Sequence, residues 1–308
     1  MMIIEESINI AIKNGATDIH LCPTPSDYQA KYRVAGKITV LHDDLVPKNA
    51  VNRLKILSNL DLSETRRTQE GQFSYTFKQE QFFIRISIVN TKLGEKVSLR
   101  ILPTEFKYSL ENIKLPPSLY KNLVTALEKP KGIIFVCGAT GAGKTTTLYS
   151  CLEYLNNGEK TIFTIEDPVE FNIDAFYQCE LNTHINITPQ YLLKSLLRQD
   201  PDIIFIGELR DKETAELALT AAHTGHLVLT TIHTNSALEL FYRLQSWDID
   251  MFTLASSLNF VMHQRMIFKD NKRTPKFTGI TPSWNKKLPE NYHALINNER
   301  YWMVHDED

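Results

Sequence analysis

One stretch of twelve residues holds a third of the glycines in this chain, and it constrains the fold more than any other feature. Only 12 of the 308 residues are glycine, and four of them are Gly132, Gly138, Gly141 and Gly143. A glycine-poor chain that concentrates its glycines needs close approach of the backbone there. The apolar run 133–137 lies inside the stretch, and a segment of helical character follows it. A strand, a glycine-rich loop and a helix in this order predict a phosphate-binding loop.

The loop matches the pattern G-x-x-x-x-G-K-S/T over residues 138–145. Its glycines let backbone N–H groups converge on a β-phosphate, and the helix predicted over 145–157 adds its N-terminal dipole. Lys144 supplies a point charge to the β- and γ-phosphates, and the hydroxyl of Thr145 reaches a magnesium ion. The predicted nucleotide-binding residues are Gly138, Ala139, Thr140, Gly141, Ala142, Gly143, Lys144, Thr145 and Thr146.

Acidic residues follow two further apolar segments. The segment 202–206 leads into Glu208, and 161–165 leads into Glu166, Asp167 and Glu170. Acids at the carboxyl ends of parallel strands point toward the ligand crevice, so each of the three glutamates is a candidate to orient magnesium or the attacking water. Gly207 stands where many nucleotide hydrolases place a magnesium-binding aspartate, which leaves that role to Glu208. Asp167 fits a helix N-cap about equally well.

His233 follows a fourth apolar segment, 226–232. A sensor of the γ-phosphate would be placed at the end of such a strand. A hydrogen-bonded core histidine would occupy the same kind of position, so the sequence leaves both interpretations open.

The composition excludes several classes of protein. The 34 basic and 36 acidic residues give a net charge of -2, which argues against a generally basic nucleic-acid binder. The longest apolar run has five residues, whereas a membrane helix needs roughly 20, and the N-terminus lacks the basic region of a signal peptide. We therefore expect a cytosolic protein. None of the four cysteines has the spacing of a zinc knuckle or a redox pair, so no zinc is expected.

The hydrophobic periodicity changes near the middle of the chain. The first hundred residues combine helical spacing with alternating strands, whereas from about Leu119 short apolar strands alternate with helices, as in a parallel sheet. We predict an α+β domain over 1–103, a linker over 104–117 and a phosphate-loop domain over 118–308. After Asn271 the pattern decays, and we interpret the scattered cations there as solvated surface.

The order of these motifs resembles that of the type II secretion and type IV pilus ATPases. In the terms of that family, the phosphate loop is the Walker A motif, and the Asp box, Walker B and His box match 164–171, 207–211 and 225–235. The segments 15–20 and 33–36 resemble the opening of the family's regulatory N-terminal domain. The resemblance covers roughly residues 5–268.

The resemblance implies an α/β chain with a RecA-like P-loop ATPase domain and a smaller, PAS-like α+β domain before it. It also implies a homohexamer that uses ATP with Mg²⁺, held by Thr145 and Glu208, and that works on a polytopic inner-membrane platform protein without binding nucleic acid directly. Arg85 and Arg100 match two family arginines that reach a nucleotide across domains or subunits. The implied catalytic set is Glu166, Glu170, Glu208, His233, Arg85, Arg100, Arg198 and Arg210.

Three departures from the family narrow the hypothesis. A further N-terminal domain, a four-cysteine zinc insert and an Ala-Ile-Arg-Asn-like motif after Arg265 are all missing. The chain therefore looks most like the competence pseudopilus ATPases of Gram-positive bacteria, which implies a motor that assembles a DNA-uptake fibre at the membrane. The alternatives are a retraction or secretion motor, a nucleic-acid translocase, and a nucleotide-gated binding protein with little turnover.

Overall fold

The chain divides into two units, residues 1–106 and 107–308, each with a sheet of its own. The structure is a computed structural model that describes residues 3–42, 45–103, 106, 108–182, 185–269, 272–284, 288–298 and 301–305. Residues 104, 105 and 107 of the predicted linker lie outside the described residues. The predicted domain boundaries stay a prediction.

An antiparallel sheet with two helices on one face forms the first unit. The elements in chain order are α1 (Ile4–Lys13), β1 (Ala16–Pro23), β2 (Tyr28–Val34), β3 (Lys37–Thr39), β4 (Leu45–Val46), α2 (Asn49–Leu57), β5 (Gln69–Phe77), β6 (Glu80–Thr91) and β7 (Gly94–Pro103). The sheet order is β3-β2-β1-β7-β6-β5, and β4 also pairs with β2. Apolar residues at helical spacing in α1 and α2 pack on the alternate apolar residues of the strands. The strand β1, which the sequence analysis did not assign, lies at the centre of this sheet.

A mostly parallel sheet of eight strands forms the second unit. Its elements are α3 (Pro117–Leu127), β8 (Gly132–Cys137), α4 (Lys144–Leu155), β9 (Ile162–Glu166), β10 (Tyr177–Glu180), α5 (Pro189–Leu196), β11 (Ile203–Ile206), α6 (Lys212–Thr224), β12 (Leu227–Ile232), α7 (Glu239–Ser246), α8 (Met251–Ser257), β13 (Leu258–Lys269), β14 (Lys272–Pro282), α9 (Tyr292–Asn297) and β15 (Trp302–His305). The order is β10-β9-β11-β12-β8-β13-β14-β15. The first six strands of that order run parallel, whereas β14 runs antiparallel to β13 and β15 runs antiparallel to β14.

Capping side chains and a glycine mark helix boundaries in the second unit. The side chain of Thr188 accepts a hydrogen bond from the N–H of Tyr191, and Asp211 accepts one from the N–H of Thr214, so both residues are N-caps. Gly225 ends α6 with a φ of +136°, a conformation that favours glycine. None of the described helices is long and apolar enough to cross a membrane.

The C-terminal segment continues the sheet, although its sequence pattern decays. The strand β14 pairs with β13 along most of its length, and β15 adds the last strand. Trp302 donates a hydrogen bond to the carbonyl of Leu295 at 2.7 Å, and its ring packs on Phe241 and Trp284 with centroids 4.6 and 5.0 Å away. Lys276 is half-buried, and the side chains of the other cations that we interpret as solvated surface lie outside the described residues. Phe277, Ile280 and Trp302 of the same segment are buried. The burial depends on contacts distant in sequence.

Replacing Trp302 by alanine should lower the free energy of unfolding by about 3–5 kcal/mol, because a large buried ring leaves a cavity. Met303→Ala is the matched control, since the neighbouring side chain is 48% exposed, and it should change stability by less than about 0.5 kcal/mol. Urea titration followed by tryptophan fluorescence measures both, because Trp247, Trp284 and Trp302 all belong to the second unit. Equal stabilities of the two variants would contradict this packing.

Candidate nucleotide-binding site

The phosphate loop connects the buried strand β8 to the first turn of α4. Gly138, Gly141 and Gly143 have φ values of +144°, +77° and +88°, which other residues rarely adopt. A Cβ on Gly141 would meet no atom within 4 Å, so this glycine faces open space on the side where a ligand can approach. The strand, loop and helix predicted from the sequence are all present.

Lys144 is a buried cation whose hydrogen bonds go to the loop itself. Its Nζ donates to the carbonyls of Gly138 and Ala139 at 2.9 and 3.0 Å, and it lies 3.5 Å from Nδ1 of His233. Burial lowers the pKa of Lys144, and the charge of Glu208 opposes that shift. Carbonyl oxygens are neutral acceptors, so a phosphate oxygen placed here would be a stronger partner for the ammonium group.

A chain of charged contacts crosses the ends of three neighbouring strands. Nε2 of His233 lies 3.0 Å from Oε1 of Glu208, and Oε2 of Glu208 accepts from Nε of Arg210 at 3.1 Å. Arg210 also donates to Asp167 at 3.2 Å. The structure thus brings Glu208, His233 and Arg210 together beside Lys144. Asp167 pairs with Arg210 and precedes no described helix, so the interpretation as an N-cap is wrong.

Glu166 is held differently from the other candidate acids. It is 4% exposed and accepts hydrogen bonds from Tyr149 and Thr164, both at 2.6 Å, and from Gln178 at 3.3 Å. Burial raises its pKa despite these three donors, and the charge of Glu170 adds to the rise. With its oxygens engaged by neighbouring side chains, Glu166 is better suited to fix the end of β9 than to activate water.

These residues line a cleft of about 860 Å³. The predicted site residues on its walls are Thr140, Gly141, Gly143, Lys144, Thr145, Thr146, Glu166, Glu170, Glu208, Arg210 and His233. Ala142 is buried behind the loop, and Gly138 and Ala139 line a smaller cleft of about 400 Å³. The predicted nucleotide-binding and acidic residues therefore converge within the second unit.

Magnesium fits the donors in this cleft. Mg²⁺ usually keeps several waters and takes few protein ligands beside substrate phosphates. The hydroxyl of Thr145 and the carboxylate of Glu208 both line the cleft and could hold it in that way. No group of three or more histidine, cysteine or acidic side chains suited to a metal occurs among the residues that the structure describes.

Three predicted arginines lie elsewhere. Arg198 follows α5 and precedes the amino end of β11, at the edge of the sheet opposite to the phosphate loop, and it is exposed. Arg85 and Arg100 belong to the first unit, where they are register partners on β6 and β7. Their catalytic roles stay predictions.

The sequence analysis missed the wall that β13 contributes. Gln264, which is 2% exposed, accepts a hydrogen bond from Thr147 at 2.8 Å, and Met266 lines the cleft. The one sequence signal for the role of Gln264 was a polar side chain at a buried position of an apolar strand. No nearby residue in the sequence connects that position with the phosphate loop.

Comparison with known proteins agrees with this geometry. The model of the family "Type II/IV secretion system protein" matches residues 1–295. The chain belongs to this family. The predicted resemblance is thereby confirmed, and the narrower likeness to the competence ATPases stays a prediction.

Three relatives of the family illustrate the match. The chain is 40% identical over 273 residues to the protein transport protein HofB homolog of Escherichia coli, covering 87% of this chain and 59% of that protein. It is 39% identical over 260 residues to the type IV pilus assembly ATPase PilB of Acinetobacter baylyi, covering 83% and 45%. The structure of the pilus retraction motor PilT, solved with bound ADP, superposes with a TM-score of 0.77 at 29% identity, covering 98% of this chain and 88% of that one. The chain thus spans about half the length of these curated relatives, and the likeness to PilT confirms the predicted fold class.

The raised pKa of Glu166 predicts how this family member responds to pH. Between the ordinary pKa of 4.5 and its raised value, the folded carboxyl holds a proton that the unfolded one has lost, so rising pH removes stability across that interval. Glu166→Gln cannot titrate and does not lose this stability. The free energy of unfolding of the wild type minus that of the variant should therefore fall as the pH rises from about 4.5 to the raised pKa.

Urea unfolding at a series of pH values measures this difference. Glu153→Gln, an exposed carboxyl on α4, controls for the loss of one charge. If the difference in the free energy of unfolding between the wild type and Glu166→Gln stays constant or rises with pH, burial does not determine the pKa of Glu166.

Proposed function

We propose that this protein is an ATPase that powers assembly of a pilus-like fibre for DNA uptake. The observation that carries the proposal is the convergence of Lys144, Thr145, Glu208 and His233 on one cleft. A polyphosphate bound there would meet the loop N–H groups, the ammonium of Lys144 and the dipole of α4. The family relationship supports a role in secretion or pilus systems.

The residues divide the work of hydrolysis among them. The loop and Lys144 bind the phosphates, and Thr145 holds Mg²⁺, which neutralises charge on the phosphate oxygens when bound. Glu208 orients the metal shell or the attacking water, and His233 and Arg210 fix its two oxygens. Glu170 lines the same cleft and remains the second candidate to activate water.

The ring and its partner follow from the family resemblance. We propose a cytosolic homohexamer that works on a polytopic membrane platform protein, where nucleotide-driven changes in the packing of the domains turn the platform. Binding to nucleic acid is not part of the proposal, because a translocase needs a basic, aromatic channel and the net charge of -2 gives no support for one.

Lys144→Ala should weaken ATP binding by roughly a hundredfold, because it removes a charged ligand of the phosphates. Glu208→Gln should keep the affinity and lower turnover by about a hundredfold or more, because its carboxylate acts mainly in the reaction. Equilibrium binding and phosphate release measure the two effects. Glu153→Gln, an exposed carboxyl on α4, is the matched control. Wild-type turnover in Glu208→Gln would assign the activation of water to Glu170 instead.

The same variants test the biological role in cells. A deletion strain should lose both the fibre and DNA uptake, and neither Lys144→Ala nor Glu208→Gln should restore them. The likeness to PilT favours a retraction motor as the second candidate. That function predicts fibres that persist in the deletion strain, so electron microscopy of the cells separates the two motors.

Arg85 and Arg100 are proposed to reach ATP from the first unit of the same or a neighbouring subunit. They stand directly opposite each other across β6 and β7, where two like charges destabilise a strand pair. Arg100 forms an ion pair with Asp18 at 3.0 Å, and the carboxylate of Asp18 also lies 3.6 Å from Arg33. Among the described residues, the buried Nε of Arg85 has no hydrogen-bond partner. An anion such as a polyphosphate would supply what this cluster lacks.

Arg85→Ala should reduce turnover far more than nucleotide affinity. An arginine finger, which is an arginine supplied from outside the phosphate-loop domain, stabilises charge that develops in the transition state. Mixing tests whether it acts between subunits. Lys144→Ala and Arg85→Ala protomers, each inactive alone, are reassembled in equal amounts. Random assembly of a ring then gives about a quarter of the sites an intact loop from one chain and an intact finger from its neighbour.

Subunit exchange must be shown independently, for example by energy transfer between labelled protomers. An arginine that serves its own chain leaves every mixed ring without a complete site. No recovery in rings that have exchanged would therefore rule out the action in trans.

A further inference from the structure

The strand β13 extends past the end of β8 and lies behind the phosphate loop. The two strands pair in parallel through His263 and Cys137, where β8 ends and the loop begins. The next residue of β13 is Gln264, which is therefore level with Gly138. Gln264 itself belongs neither to the Walker motifs nor to the acidic strand ends.

The main chain of Gln264 packs closely against the first glycine of the loop. A Cβ on Gly138 would stand 2.2 Å from the carbonyl oxygen of Gln264, closer than any real contact allows. Glycine at this position is thus required by the approach of β13 as well as by its φ of +144°.

The side chain of Gln264 reaches the other end of the loop. A Cβ on Gly143 would lie 2.8 Å from its Nε2, so the amide packs directly on the last glycine. Its Oε1 accepts from the hydroxyl of Thr147, which is 1% exposed and lies in the first turn of α4. One residue therefore touches the start of the loop, the end of the loop and the helix that follows.

We propose that Gln264 is a positioning residue for the phosphate loop. Its amide holds Gly143 and the first turn of α4 in place, so that the loop N–H groups point at the phosphates. Thr147 fixes the orientation of that amide. This inference rests on the proposed function, since it assigns how the proposed ATP site is held in shape. The residue touches the loop from behind and takes no part in the chemical step.

Gln264→Leu removes the hydrogen bond with Thr147 and the amide that packs on Gly143, whereas Gln264→Asn keeps the amide but withdraws it by one methylene. Each should weaken ATP and ADP binding by about tenfold, the order of one or two lost supporting contacts. The KM for ATP should rise in parallel while kcat stays within about threefold, because the loop binds phosphate in the ground and transition states alike. Met262→Leu is the matched control, because Met262 is fully buried two residues earlier on the same face of β13.

A purely structural glutamine predicts a different result in a double variant. Gln264→Leu alone leaves the Thr147 hydroxyl buried without its partner, and adding Thr147→Val replaces both partners by apolar groups, which is often nearly neutral for stability. The double variant should regain the thermal midpoint but keep the weakened nucleotide affinity. A double variant that regains both would overturn the positioning role, as would wild-type affinity in Gln264→Leu or Gln264→Asn.

Lys144→Ala separates this inference from the function on which it rests. If wild type and Lys144→Ala both fail to bind ATP and ADP with Mg²⁺, the proposed function is wrong. If the wild type binds and the Gln264 variants bind equally well, the function stands and the positioning role is wrong.

Discussion

The burial of the parallel sheet on both faces is the constraint on which the site depends. Every residue of β8, β11 and β12 is buried, so these strands have no place for a charged side chain along their length. Charged groups can follow only where a strand ends. Because the strands run parallel, those ends share one edge, and Lys144, Glu208 and His233 come together there although they are distant in sequence.

The charges at this edge are arranged so that a phosphate can replace weaker partners. Lys144 gives its hydrogen bonds to two neutral carbonyls of its own loop, and Glu208 pairs with Arg210 and contacts His233. Burial lowers the pKa of Lys144, which measures how poorly the ammonium is solvated. A polyphosphate with Mg²⁺ would relieve that deficit, so its binding energy comes from charges already fixed in place and costs little reorganisation.

How much the sequence predicts depends on the distance over which each feature is determined. The phosphate loop and the strand-end acids are local signals, and the structure brings them together at one cleft. The caps at Thr188 and Asp211 are local features of the same kind. Two of the three donors to Glu166, Tyr149 and Gln178, lie 17 and 12 residues from it in sequence, and Gln264 lies 117 residues from Thr147. The burial of Trp302 likewise depends on paired strands. No short window contains both partners of such contacts. The roles of Arg85, Arg100 and Arg198 came from the family resemblance alone.

The first unit, like the second, contains cations that lack enough negative charge beside them. Asp18 is held ionised: burial opposes this, but hydrogen bonds from Thr17 and Arg100 lower its pKa. One carboxylate cannot balance Arg33, Arg85 and Arg100 together, and the like charges on β6 and β7 reduce the stability of the sheet. A fold gains nothing from such a cluster unless an anion meets it. In each unit, cations that lack enough negative charge beside them therefore favour the binding of an anion.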